Sequence, residues 1–287
     1  MWADHVNTGL KKGEIPFMDS RRGLTRVGIL VVVGVVTFVV LLVLCRKLLM
    51  LAQDRTRTHA KQIACMSRLK QWGLVFKLYT DDHDGSFVSG EGGDSGKWWF
   101  ESLRPYYKDH KLWLCPVATK PYTEGGRSPF GAWKVGEVSG SYGLNGWICN
   151  PVQGKTDLRG RGPLEDYWAT IVNVQGSNNI PILVDAMWFE GWPSHNDAAP
   201  PFEAWPGDHI DQSRFDYNLH AMRRFCVNRH EGYVNVLFMD WSVRRVGLKE
   251  LWTLKWHRNY SIDGPWTKAG GVMPSDWPQW MRDFKDY

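Results

Sequence analysis

Val27 to Cys45 (VGILVVVGVVTFVVLLVLC) runs without a single charged position. At a rise of about 1.5 Å per residue, such a helix is about 28 Å long, close to the hydrocarbon thickness of a bilayer. It keeps no polar face, as an amphipathic helix on a soluble domain would, so the pattern predicts a membrane-spanning helix over residues 27–45. The run is too long for a cleaved secretory signal, and no small-x-small site follows it. Leu44 is bulky where a lipobox needs a small residue, which argues against lipid attachment at Cys45.

From residue 46 to about 82 the pattern becomes amphipathic. Leu69, Trp72, Val75, Phe76 and Tyr79 recur at steps of three and four, with Arg68, Lys70, Gln71 and Lys77 on other faces. No Pro falls between residues 24 and 104, so one helix is predicted to run from the bilayer into a folded domain. Asp81-Asp82-His83-Asp84-Gly85 supplies its stop, with Gly85 able to turn left-handed. These carboxylates resemble the opening of a calcium loop. The further spaced oxygen ligands and distal Glu of that loop are missing, so they read as a solvated turn.

Gly90 to Gly96 reads as a loop, Trp98-Trp99-Phe100 as the start of an aromatic segment, and residues 116–140 are rich in Pro, Gly and Ser. Ile180 to Val184 and Tyr233 to Met239 read as strands, the second alternating with Val234, Val236 and Phe238 on one face. Ser242 to Val246 is placed to pair back across Asp240-Trp241 as a hairpin. A long helix feeding a small antiparallel sheet gives an α+β fold. No internal repeat or low-complexity tract is present.

A net charge of +5 over 287 residues is mild and argues against an electrostatically driven nucleic-acid binder. Lys11, Lys12, Arg21, Arg22 and Arg26 precede the apolar run, and Arg46, Lys47, Arg55, Arg57 and Lys61 follow it. Charge alone therefore leaves the orientation open. Four of the five cysteines, Cys65, Cys115, Cys149 and Cys226, lie beyond the membrane segment. They permit two disulfides in three pairings, which would suit an oxidising compartment; the alternative is four reduced, buried thiols. No pair has close CxxC spacing, which argues against structural metal bound through thiols.

His195, Asp197, Asp208, His209, Asp211, His220 and His230 make the best argument for an enzyme. They follow no zincin pattern, and neither a Gly-x-Ser-x-Gly elbow nor a phosphate-binding Gly loop occurs. They read as polar loop residues, so no catalytic residue, metal or cofactor is expected. Among the 17 tryptophans, Trp98, Trp99, Trp188, Trp192, Trp205, Trp252, Trp256, Trp266, Trp277 and Trp280 admit two readings. As exposed stacking platforms they would make the domain a module binding carbohydrate or another surface ligand. As core anchors they would hold together a domain short of regular structure, which the area each ring buries favours.

The stretch from Arg21-Arg22-Gly23-Leu24-Thr25-Arg26 to Val32 resembles a prepilin signal, a basic leader ending in Gly before an apolar helix. The segments from Ala64-Cys65 to Gly73 and from Tyr79 to Gly85 resemble the type II secretion pseudopilin-like proteins abundant in planctomycetes. Leu114-Cys115-Pro116 and Ser141-Tyr142-Gly143-Leu144-Asn145-Gly146 are similar to further stretches of that family. His230 and Asp240 are separated by nine residues, similar to its processing-associated motif of His, nine residues, then Asp-Gly. The resemblance covers about residues 21–250.

It implies a leader of residues 1–23, cut at Gly23-Leu24 by a membrane prepilin peptidase, then a helix over residues 24–82 and a pilin-like ectodomain over residues 83–287. It implies a single-pass protein of the inner (cell) membrane, its C-terminal domain periplasmic or at the cell surface, with other pilin or pseudopilin subunits as partners. It also implies a Cys65–Cys115 disulfide, with Cys149–Cys226 as a second pairing. Three positions depart from the family: Gly28 where Glu is usual, Arg26 where Leu is usual, and Trp241 after Asp240 where Gly is usual. Loss of the carboxylate removes a favourable pairing in a low-dielectric filament core, and Arg26 adds a charge of the wrong sign. The implied role is a minor filament subunit or an uncut membrane anchor.

Overall fold

Helix α1 spans Arg26–Asp82 in a computed structural model that describes residues 26–90, 97–152, 154, 157–158, 160–203 and 220–287. The expected leader and the Gly23-Leu24 bond lie outside the described residues, as do Trp205, Asp208, His209 and Asp211. The chain divides into two compact units, residues 1–55 and 56–287.

In the first unit the apolar side chains from Ile29 to Leu51 are exposed, and none of the most apolar window is buried within the chain. This helix is long and apolar enough to cross a membrane. Thr37, the one hydroxyl in the apolar run, donates back to the Val33 carbonyl at 2.8 Å, so it presents no unsatisfied polar group along the helix.

In the second unit, Cys65, Leu69, Trp72, Val75 and Phe76 form the buried face of α1, at the helical spacing. Trp72 anchors an aromatic cluster, with ring centroids 5.0 Å from Trp113, 5.2 Å from Tyr107 and 5.6 Å from Trp99. Its indole N–H donates to the Leu112 carbonyl at 2.8 Å, so the ring is buried with its polar atom satisfied. Past Asp82 the chain turns as Gly85 takes φ 80° and donates from its N–H to the Thr80 carbonyl at 2.8 Å. Asp81 pairs with Lys77 at 2.6 Å on the exposed side of the helix, and Asp82 accepts from the Tyr106 hydroxyl at 3.0 Å.

After a short helix α2 (Trp99–Ser102), the Pro- and Gly-rich stretch folds into a three-stranded sheet that composition concealed. Its strands are β1 (Lys120–Pro121), β2 (Gly131–Val135) and β3 (Val138–Gly140). The main sheet holds β4 (Tyr142–Asn145), β5 (Pro181–Asp185), β6 (Glu190–Gly191), β7 (Tyr233–Phe238) and β8 (Val243–Gly247) in the order β6-β4-β5-β7-β8. The two strands expected at residues 180–184 and 233–239 are β5 and β7, and the expected hairpin is β7–β8, with Val234 opposite Val246. The fold is α+β.

The sheet is mixed rather than wholly antiparallel. β4 pairs antiparallel with β5, but the chain doubles back over residues 186–189, so β6 runs parallel to β4 along its other edge. The centre of the sheet is buried on both faces: every residue of β4 and β5 is buried. Such strands show no alternation of polar and apolar positions.

Candidate functional site

Four chain segments deliver one side chain each to a common buried point. Cys65 comes from the buried face of α1, and Asp185 is the last residue of β5. Cys115 precedes a tight turn in which the Ala118 N–H donates to its carbonyl at 2.9 Å. The Ser141 hydroxyl fixes that turn, accepting from the Cys115 N–H at 2.6 Å and donating to the Ala118 carbonyl at 2.9 Å. His230 stands just before β7, where Glu231 and Gly232 take φ 55° and 86° and reverse the chain.

The ligand-type atoms of Cys65, Cys115, Asp185 and His230 all lie within 4.8 Å of one another. None of the four residues is more than 2% exposed. Cys65 Sγ is 3.5 Å from Asp185 Oδ1, Cys115 Sγ is 3.4 Å from His230 Nε2, and His230 Nε2 is 3.3 Å from Asp185 Oδ2. Around them, the Tyr142 hydroxyl donates to Cys65 Sγ at 3.3 Å and the Asn235 N–H donates to Asp185 Oδ2 at 2.8 Å.

The electrostatics follow from this crowding. Burial alone would raise Asp185, but the His230 imidazole and the Arg229 guanidinium outweigh it and hold the carboxyl below its usual range. Burial alone would lower His230, and Asp185 overrides it, raising the imidazole to about 10. Burial raises the Cys65 thiol well above its ordinary value. Cys115 opposes its own burial through hydrogen bonds to Cys65 and His230 and falls to about 7.

The arrangement is not that of a nucleophile–base–carboxylate triad. In a triad the two ring nitrogens divide the work, one facing the nucleophile and the other the carboxylate. Here Cys115 and Asp185 both converge on Nε2, while Nδ1 is buried without a hydrogen-bond partner. Thiol, carboxylate and imidazole are also the donor types of zinc sites.

The expected Cys65–Cys115 disulfide is not formed, nor is a Cys149–Cys226 bond. The Cys65 and Cys115 sulfurs lie within 4.8 Å of each other as separate thiols. They are instead engaged by Asp185, His230 and Tyr142. Cys149 and Cys226 are buried elsewhere in the domain, and burial drives Cys226 well above the ordinary thiol range.

Among the described residues, the other candidates are not gathered into a site. Asp240 lies in the β7–β8 turn, where Oδ1 accepts from the Ser242 N–H at 2.9 Å and hydroxyl at 2.6 Å, so the two halves of the His230–Asp240 motif do separate jobs. Asp197 accepts from the backbone N–H of Ser194 and Met222, and His220 Nδ1 accepts from the Ala198 N–H at 3.0 Å. The His195 ring packs edge-on against Tyr260. Arg26 begins α1, with Gly28 in its first turns. Of the tryptophans considered as platforms, Trp99, Trp192, Trp252, Trp256 and Trp277 are buried, and Trp98, Trp188, Trp266 and Trp280 are half-buried.

Sequence spacing could not reveal the cluster. Its members are 50, 70 and 45 residues apart, and Asp185 ends an apolar strand with nothing to mark it. No family model matches the chain, and no curated protein or solved structure matches it either.

Proposed function

We propose that this chain is a membrane-anchored pilin- or pseudopilin-like subunit, a minor member of a type IV pilus or type II secretion-like filament. The observation that carries the reading is α1. A single helix, Arg26–Asp82, begins with an apolar run unburied within the chain and ends with an amphipathic run packed into an α+β domain. In water the exposed apolar side chains from Ile29 to Leu51 would be costly, so they need either lipid or the apolar helices of neighbouring subunits. In this reading the protein spans the inner membrane once, with residues 83–287 outside the cytoplasm. A prepilin peptidase removes residues 1–23, and other pilin or pseudopilin subunits are its partners.

Gly28 and Arg26 favour a minor role. Gly28 offers no carboxylate to a neighbouring subunit's N-terminal amine, and Arg26 is tolerated at the headgroups but costly inside a filament core. N-terminal sequencing and intact-mass measurement of protein extracted from membranes test the proposal. The expected mature chain starts at Leu24 and forms no long homopolymers by electron microscopy. A chain retaining Met1 or Trp2 would leave an uncut anchor in its place.

A further inference from the structure

We propose that Cys65, Cys115, Asp185 and His230 are the four ligands of a structural zinc-class divalent ion that fastens α1 and the Cys115 turn to β5 and the start of β7.

The distances support this. With arms of about 2.3 Å to sulfur and about 2.0–2.1 Å to nitrogen and oxygen, a tetrahedral zinc site has edges of about 3.5 Å for sulfur–nitrogen and sulfur–oxygen and about 3.3 Å for nitrogen–oxygen. Taken through one carboxylate oxygen, Asp185 Oδ2, the observed edges are 3.7 Å to Cys65 Sγ and 3.3 Å to His230 Nε2, with 3.4 Å between Cys115 Sγ and His230 Nε2, and all four ligand atoms lie within 4.8 Å of one another. A hydrogen-bond network accounts for them less well. His230 Nε2 carries at most one proton, yet a thiol and a carboxylate both address it. One cation at the centre of the four atoms satisfies all of them together.

Charge fits as well. Two thiolates, a carboxylate and a neutral imidazole around a divalent ion leave one net negative charge. Arg229, buried beside the cluster and felt by Asp185, offsets it. The donor set selects the metal: calcium and magnesium take six or more oxygen ligands, whereas two sulfurs, one nitrogen and one oxygen in a tetrahedron suit zinc. Four protein ligands close the coordination shell, and none of them is more than 2% exposed, which leaves no opening for a substrate, so the ion's role is structural. Two of the ligands have supporting partners: Tyr142 donates to Cys65 and Asn235 donates to Asp185, while His230 Nδ1 has none.

The test uses the full chain, purified in detergent under reducing conditions without added metal or histidine tag. Elemental analysis is expected to find about one zinc per chain. Cobalt exchanged into the site is expected to give the intense visible absorption of tetrahedral thiolate coordination. Chelation is expected to lower the melting temperature, and zinc alone to restore it. Cys115→Ser and His230→Gln are each expected to lose the ion, while Cys226→Ala retains it. Because ligand variants can fail to fold, the cobalt spectrum of the unaltered chain decides the matter. Unaltered protein that carries no zinc and gives no such spectrum on cobalt addition would overturn the proposal. So would peptide mapping that finds Cys65 and Cys115 joined in protein taken directly from membranes. None of these outcomes depends on leader cleavage.

Discussion

Tyr142 and Asp185 sit opposite each other across β4 and β5, and both reach Cys65: the phenol donates to Sγ at 3.3 Å while Asp185 Oδ1 lies 3.5 Å from it. The register of two strands thus sets the surroundings of a side chain on the helix. The buried sulfur's neighbours are polar because strand pairing brings them there, not because the local sequence is polar.

Tyr142→Phe keeps the ring and removes only the donor. Loss of one buried hydrogen bond is expected to lower stability by about 1 kcal/mol. Loss of a partner behind a metal ligand is expected to weaken zinc retention about tenfold in chelator competition. Unchanged chelator competition in Tyr142→Phe would show that the phenol does not support the sulfur as a ligand.

Arg229 holds the neighbouring turns by its planar fork. Nε donates to the Pro129 carbonyl at 2.6 Å, Nη1 to Ser141 at 2.6 Å and Nη2 to Gly131 at 2.7 Å, and the residue is only 3% exposed. Lys keeps the charge but is a point donor that cannot match three diverging acceptors. Arg229→Lys is expected to cost about 2–4 kcal/mol, since each stranded buried carbonyl costs about 1–3 kcal/mol. Thermal and urea denaturation of the full chain would check this, and a loss below 1 kcal/mol would contradict the account.

Much of the architecture is readable along the chain where one physical rule dominates. The buried face of α1 follows the three-four spacing of Leu69, Trp72 and Phe76, and the β7–β8 hairpin follows the alternation from Val234 to Phe238. The three strands between Lys120 and Gly140 were hidden, because Pro and Gly content signals turns regardless of what they connect. Trp241 shows another limit. It takes φ 65° directly after Asp240, a conformation that favours glycine, so its backbone could not be anticipated from the residue. The thiol–carboxylate–imidazole cluster was the least legible part. CxxC spacing detects sites built on one local turn, whereas this one is assembled by a helix, a turn and two strands far apart in sequence.

Asp197 supplies a pH dependence distant in character from the cysteine cluster. Burial raises its carboxyl from 3.8 to about 6, against the opposing pull of the Met222 and Ser194 N–H groups and of Arg223 and Arg224. The folded state therefore favours the protonated form. That contribution is complete below pH 3.8 and is lost as the pH rises through 6, so the native chain should lose up to about 3 kcal/mol between those limits from this group. Asn keeps an acceptor for both N–H groups and does not ionise. Asp197→Asn is expected to be about 1–3 kcal/mol more stable than the parent at pH 8 and near parity at pH 4. Denaturation curves at the two pH values would show the difference; equal offsets at both would contradict the titration.

Asn145 gives the sharpest mutational test of the main sheet. It ends β4 with no exposed surface, and its amide is fully used: Nδ2 donates to the Pro181 and Trp256 carbonyls, both at 2.9 Å, and Oδ1 accepts from the Trp147 N–H at 3.2 Å. One side chain thus ties β4 to the start of β5 and to the segment after β8. Asp has the same shape, so Asn145→Asp leaves no cavity. It does leave two buried carbonyls without donors and places a carboxylate oxygen against them. Desolvation then forces the new acid to stay protonated or to destabilise the fold, and either path is costly. The expected loss is about 3 kcal/mol or more at pH 7, partly recovered at pH 5 as the acid gains a proton and can donate one bond. Thermal denaturation of the full chain at both pH values reads this directly. A variant as stable as the parent at pH 7 would show that the amide bridge contributes nothing to holding the sheet.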